Sequence, residues 1–435
     1  MTPTGRNTAR DLVALMSAGL VVRILYLLVV VDDRAPLSDA DQYLDIARNV
    51  ARGRGMAMQW PQLHVHPTAF RPPVFPLLLG GWIRVFGSSV FAARSLNALI
   101  GLGVIAATYL VSCRLGGRRA GLVAALLVTL YPPLLANDAT TLAEPLGLLL
   151  LIGMLASFLS RRWWALGLLG GLLTLTKPAA QGLLVPVLLV VIGLCLRDQG
   201  EGREWRRAAL AAATVLGCAG AVVAPWVVRN HVRLGTTAIV TSNGFTLTAI
   251  YAEAAQQHGS FLDPVYGAPY QSLDERLLRW DEGRWNDELV DRALKGIRRH
   301  PTYVADVVWR NLGRWFELTP SRNDDPERLD GRHLSVRHWS LPAFYLITVA
   351  GFAGLVVGVR SGGTARRGAA FLLLTSAYFT AMSLPLVATP RLRAPLDLAC
   401  CVGCGLLAAA WTGRRHHPDQ TGALPTHPRK DVVDQ

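Results

Sequence analysis

Charge is what this 435-residue chain has least of: 17% of its residues are charged, while 51% are hydrophobic. Soluble domains carry about a quarter charged residues. The shortage argues against the two or three soluble domains that length alone would suggest. Acids are the scarcer sign, with 30 Asp and Glu against 44 Lys and Arg, for a net charge of +14. In a soluble protein that excess would point to nucleic acid. Here no aromatic–basic interleaving of the single-strand-binding kind is present, and the arginines cluster between apolar runs, so no nucleic-acid partner is expected. Cysteine is sparse as well. Cys113, Cys195, Cys218, Cys400, Cys401 and Cys404 lie in or beside apolar runs, which implies no disulfide framework. The Cys400-Cys401-x-x-Cys404 group reads as small helix-packing residues rather than a metal or redox centre. No convincing internal repeat is present, which weighs against a transporter built from two similar halves.

What the sequence does have is apolar runs, many of them of the roughly 17–25 residues needed to cross hydrocarbon. They predict an all-α polytopic membrane protein of about ten transmembrane helices. The spans fall at 11–31, 90–112, 120–137, 143–160, 164–177, 179–196, 208–228, 341–359, 368–387 and 395–412, with 73–87 a partly embedded helix that begins at Pro72-Pro73. The first run is too long for a signal peptide and no small-x-small site precedes Asp32, so it reads as a retained helix. Arg excess marks cytoplasmic loops. With the N-terminus inside, alternate loops carry Arg114, Arg118 and Arg119; Arg161 and Arg162; Arg197, Arg203, Arg206 and Arg207; Arg360, Arg366 and Arg367; and Arg414 and Arg415. Both termini are then cytoplasmic in a plasma-membrane protein. The regions are a membrane module 1–230 with a first outer loop 32–72, an outer helical region 231–340 between helices seven and eight, C-terminal helices 341–412 and a disordered tail 413–435. Within the long loop, Leu277, Leu278, Trp280, Trp285, Leu289, Leu294 and Ile297 recur at helical spacing, and 273–317 is expected to be helical.

Polar chemistry is expected on the outer side. In the first loop, Asp39 and Asp41 begin an amphipathic helix on which Tyr43, Ile46, Ala47 and Val50 share a face and which Gly53 and Gly55 end. Ser38 with Asp41 resembles a capping box, so one role for these acids is capping. The other is a carboxylate held just outside the membrane to take a proton from an acceptor. Asp138 and Glu144 bracket the second outer turn, where an acid at the start of a membrane helix is costly unless it caps or functions. His64 and His66 alternate in the first loop and offer two ligands to a divalent ion, fewer than a site needs. No cofactor is required, and a divalent metal stays open.

These residues sit inside a longer pattern. Asp39-x-x-x-Tyr43-Leu44-x-x-Ala47-Arg48-Asn49-x-x-x-Gly53-x-Gly55 is followed by Phe70-Arg71-Pro72-Pro73-Val74-Phe75-Pro76. Then come Gly116-Gly117-Arg118-Arg119-Ala120-Gly121, Leu142-Ala143-Glu144-Pro145, Thr174-Leu175-Thr176-Lys177-Pro178, Pro225-Trp226-x-x-Arg229-Asn230 and Arg391-x-Arg393-x-Pro395. In order and spacing the set resembles GT-C glycosyltransferases, in the branch related to dolichyl-phosphate-mannose protein mannosyltransferases and the lipid A aminoarabinose transferase. The resemblance covers about 11–230 and resumes near 390. It implies inverting transfer of a sugar from a polyprenyl-phosphate donor to an envelope acceptor (lipid, glycan or protein) on the non-cytoplasmic face, with membrane lipid as a further partner. It also implies that Asp39 is the base. Several relatives carry Asp-Glu here, whereas this chain has Ala40 and then Asp41, so a second carboxylate's role stays open. Tyr43, Asp138 and Glu144 are candidates for support or acceptor binding. Arg71, Lys177, Arg229, Arg391 and Arg393, all at outer helix ends, are candidates for the donor phosphate, because arginine suits phosphate and keeps its charge. The bland alternative for each is interfacial snorkelling. The competing classes are a transporter or lipid-linked-sugar flippase without covalent chemistry, and a non-catalytic member of the same fold.

Overall fold

A computed structural model describes residues 3–31, 39–59, 64–197, 204–264 and 281–414. Helices account for nearly all of it. In chain order they are α1 (Pro3–Leu25, continued by a π-helical turn Tyr26–Val30), α2 (Asp39–Ala51), α3 (Val74–Phe86), α4 (Val90–Leu130), α5 (Pro132–Asp138), α6 (Glu144–Leu159) and α7 (Trp163–Thr174). There follow α8 (Leu184–Arg197), α9 (Glu204–Leu234), α10 (Ser242–Tyr251), α11 (Glu253–His258), α12 (Glu282–Arg299), α13 (Thr302–Trp315), α14 (Asp324–Leu329), α15 (Leu334–Arg360), α16 (Gly363–Ser383) and α17 (Ala394–Arg414).

Six helical segments are long and apolar enough to cross a membrane by length and composition: 6–30, 90–130, 178–197, 204–234, 334–361 and 390–411. Val74–Phe86, Glu144–Leu159 and Trp163–Thr174 are apolar but shorter. Large apolar side chains point outward along them, among them Val21, Leu28, Val29, Leu189, Leu216, Leu346 and Val349. A soluble protein does not expose such continuous apolar faces, and the chain is an integral membrane protein.

The 41 residues of α4 are two helices in one run. Gly116 and Gly117 leave helical geometry, and Gly117 has φ +80°, which favours glycine. A Cβ on Gly121 would lie 2.3 Å from the Cys113 sulfur and 3.0 Å from the Tyr109 carbonyl oxygen. A straight helix would carry residues 109 and 121 about 18 Å apart along its axis, so the chain doubles back here. The separate runs 90–112 and 120–137 therefore correspond to the two arms of a hairpin. Arg118 at its turn donates to both oxygens of Asp11, at 2.6 and 2.7 Å, and Tyr109 donates to Asp11 at 2.7 Å. These bonds tie α1 to the hairpin.

Close glycine contacts set the other crossings. A Cβ on Gly354 of α15 would lie 1.8 Å from the Gly403 carbonyl oxygen of α17, and one on Gly351 would lie 2.5 Å from the Cys400 Cα. Small residues let two backbones approach this way in a membrane. Cys400, Cys401 and Cys404 are free thiols within this seam.

Around the first loop one small element joins the helical frame. Ala57–Gln59 (β1) and Val65–Pro67 (β2) form an antiparallel pair, with Met58 opposite His66. Two three-residue strands carry too little periodicity to be read from sequence. Gly53 and Gly55, at φ +78° and +72°, turn the chain out of α2 and into this hairpin. Ser38, Leu277, Leu278, Trp280 and the tail beyond residue 414 lie outside the described residues, so the capping box and the start of the 273–317 helix do too. From 281 the stretch expected to be helical over 273–317 is so in two pieces, α12 and α13, broken at His300-Pro301.

Candidate active site at the first loop

Asp39 is the first residue of α2, and each of its carboxylate oxygens binds an arginine: Oδ1 accepts from Arg71 and Oδ2 from Arg391. Burial would raise the Asp39 carboxyl, but the two guanidiniums outweigh it and hold the group well below the usual carboxylate range. Tyr43, one turn on, is buried edge-on against Phe75 and lies 5.6 Å beneath the Arg71 guanidinium. Gln42 accepts from the Arg71 Nε at 2.8 Å. Asp41 faces away. It is exposed, and its charged neighbours are Asp45 and Arg48 rather than the site arginines.

Arg71 is presented by a backbone segment fixed from several sides. Glu282 of α12 accepts from the Ala69 amide at 2.8 Å and from the Thr241 hydroxyl. The Thr241 amide donates to the Ala69 carbonyl at 3.1 Å. Arg229 donates to the Thr68 and Met56 carbonyls, both at 2.9 Å, with its guanidinium stacked 4.8 Å from the Trp226 ring. The structure thus places Arg229 behind the first loop, as a tie, and not beside Asp39. Phe70 packs edge-on against Phe245, which locks the residue preceding Arg71.

Across the cleft, the Val74 amide donates to the Leu175 carbonyl at 3.0 Å, which brings the 175–177 turn to the start of α3. Lys177 follows and pairs with Glu144 at 3.0 Å, both buried. Its aliphatic stem crosses α6 at Gly147, where a Cβ would meet the Lys177 Cδ at 2.8 Å. Glu144 in turn feels the charge of Arg391.

Arg391 and Arg393 do not act as a pair. Arg391 reaches Asp39 with one terminal nitrogen and Asp330 with the other, the latter at 2.9 Å. Arg393 turns into the core, to the Trp315 carbonyl, to Asp397 at 3.2 Å and over the Phe344 ring at 3.8 Å. Asp138 also stands apart, in a buried ion pair with Arg23 of α1. His66 contacts the Pro67 carbonyl at 2.9 Å, and His64 is exposed. Among the described residues, no three His, Cys, Asp or Glu side chains converge in a way that would hold a metal.

Arg23, Gln42, Glu282 and Asp330 were not singled out in the sequence. Arg23 sits within an apolar run, where a charge is itself a signal. Asp330 had no signal, because it lies 61 residues before Arg391 in a loop without periodicity.

A polytopic helical membrane protein with an Asp–Arg cluster at the ends of its first loop is the class defined so far. Residues 70–228 match the family model described as dolichyl-phosphate-mannose-protein mannosyltransferase. That stretch includes Arg71, Asp138, Glu144 and Lys177 but neither Asp39 nor Arg391. No curated protein matches the chain. Among solved structures it is similar to the oligosaccharyltransferase AglB from Archaeoglobus fulgidus in complex with an inhibitory peptide and a dolichol-phosphate, at 14% identity over 96% of this chain and 51% of that one, with TM-score 0.57. The same organism's oligosaccharyltransferase tethered with an acceptor peptide matches at 13% identity over 94% and 50%, with TM-score 0.54. ArnT from Cupriavidus metallidurans bound to undecaprenyl phosphate matches at 18% over 92% and 77%, with TM-score 0.44, a likeness too loose to carry weight. The chain spans about half the length of the archaeal protein. Residues 70–228 thus resemble the dolichyl-phosphate-mannose-protein mannosyltransferases, and the chain as a whole shares its helical fold with the archaeal oligosaccharyltransferase.

Proposed function

We propose that the protein is an inverting glycosyltransferase that moves a sugar from a polyprenyl-phosphate donor to an envelope acceptor on the non-cytoplasmic face. The observation that carries this reading is the carboxylate of Asp39 clasped between Arg71 and Arg391, with the Lys177–Glu144 pair near enough for Glu144 to feel the charge of Arg391. In the reaction, the acceptor hydroxyl oxygen bonds to the anomeric carbon and the bond from that carbon to the phosphate oxygen breaks. The hydroxyl proton passes to Asp39, and the electron pair leaves with polyprenyl phosphate. Arg71, Arg391 and Lys177 stabilise the departing phosphate. A carboxylate held low by two guanidiniums is a weak base. When a donor phosphate draws those guanidiniums to itself, Asp39 regains basicity, so donor binding prepares the base.

The chemistry is tested by mass analysis of cell-envelope glycans with and without the protein. Loss of one glycosyl mass in its absence, restored by wild type, is expected; identical glycans would defeat the proposal. The face is tested separately with an impermeant thiol probe on intact cells. A cysteine replacing exposed Lys295 should react, and one replacing exposed Thr364 should not. The opposite pattern would invert the orientation with both termini inside.

A further inference from the structure

The first turn of α2 surrounds Arg71. Asp39, Gln42 and Tyr43 are spaced i, i+3 and i+4, so they share one face of the helix. All three meet the same guanidinium. Gln42 Oε1 accepts from its Nε at 2.8 Å and from its Nη2 at 2.6 Å. Asp39 Oδ1 accepts from Nη2 as well. The Tyr43 and Phe70 rings lie 5.6 and 5.1 Å from the guanidinium carbon. A guanidinium offers two forks, one made by Nε and Nη2 and the other by Nη1 and Nη2. Gln42 fills the first. Asp39 takes one hydrogen of the second, and Nη1 makes no hydrogen bond among the described residues.

This division of edges bears on the donor chemistry. For Asp39 to become a base, phosphate has to replace it on Arg71. Were Asp39 the only anchor, the exchange would free a long side chain whose immobilisation is entropically costly. Gln42 grips the opposite edge, and its amide carries no charge. The guanidinium therefore keeps its full attraction for an anion while its position stays fixed. A carboxylate at position 42 would hold the same edge but compete with the phosphate for the charge.

We propose that Gln42 is a positioning residue of the donor site: it anchors Arg71 by the Nε–Nη2 edge, so that a phosphodiester can displace Asp39 from the Nη1–Nη2 edge without releasing Arg71. The inference rests on the donor class proposed above. No covalent bond changes in this exchange; hydrogen bonds pass from carboxylate to phosphate.

The test measures binding of geranyl methyl phosphate, a singly charged phosphodiester, to the full-length protein in detergent at about pH 7.5, well above the ordinary carboxylate range. Gln42→Leu removes the acceptor at similar size, and affinity should fall about three- to tenfold. In an Arg71→Ala background the same change should cause no further loss, because Gln42 acts through Arg71. Gln42→Glu keeps both hydrogen bonds and adds a charge. It should melt no lower than wild type yet bind about tenfold more weakly, or worse. Losses that add across the Arg71→Ala background, with the melting temperature lowered in both, would make Gln42 a structural residue only and overturn the proposal. Wild-type affinity in Gln42→Glu would overturn it too. Failure of folded wild-type protein to bind the probe would instead defeat the donor class itself.

Discussion

Asp39→Asn should leave the protein folded and able to bind donor, yet lower transfer by roughly 10²–10⁴-fold. Asn caps a helix start about as well as Asp, so α2 keeps its first turn. The change removes a negative charge from between Arg71 and Arg391, and donor phosphate should bind at least as tightly as before. A merely structural Asp39 predicts the reverse: two half-buried guanidiniums losing their shared carboxylate, a lower melting temperature and little change in turnover among molecules that remain folded. Asp41→Asn is the internal control. Asp41 is exposed and remote from the arginine pair, so its replacement should keep near-normal turnover. Turnover lost in Asp41→Asn and kept in Asp39→Asn would assign the base to the wrong carboxylate.

The second large effect separates two arginines that are two residues apart. Arg391→Ala should lower transfer by roughly 10²–10³-fold, the usual cost of removing one donor to a developing anion. Its stability should change less, because Asp39 keeps Arg71 and Asp330 keeps the nearby charge of Arg332. Arg391→Lys keeps the charge but loses the fork that reaches two carboxylates at once, so it should recover only part of the rate. Arg393→Ala should act on the fold. It strands Asp397 and the Trp315 carbonyl in the core, and breaking a buried pair of this kind costs about 3–5 kcal/mol. Thermal melting and turnover measured on the three proteins distinguish a rate defect from a folding defect.

The reason for that split also shows where sequence reading stops. Pro390–Arg393 is a 3₁₀ turn. At three residues per turn, positions two apart differ in direction by about 120°, so Arg391 and Arg393 cannot both face the cleft. As a sequence motif they look like one basic pair. The helical frame was far more legible, because long apolar runs and alternating Arg clusters are strong signals. Helical segments stand near every predicted span, and the doubled α4 matches two of them. Asp39, Tyr43, Arg71, Lys177 and Arg391 stand out in the sequence, whereas their partners do not. Which carboxylate meets which cation depends on tertiary closure, as with Asp330 reaching Arg391 and Glu282 fixing the Ala69 amide. Arg229 shows the same limit. It falls at a helix end like the others, but its hydrogen bonds go to the carbonyls of Met56 and Thr68.

The central claim is that this protein breaks the bond between sugar and polyprenyl phosphate. Its most direct test is reconstitution of purified protein into liposomes with polyprenyl-phosphate sugars and acceptors extracted from the native envelope, followed by phosphorus NMR. The account predicts that the phosphodiester signal converts to a polyprenyl monophosphate signal, that an acceptor gains one glycosyl mass with inverted anomeric configuration, and that both changes vanish with Asp39→Asn. An unchanged phosphodiester, with the intact sugar lipid moving from one leaflet to the other, would contradict the account and make the protein a flippase.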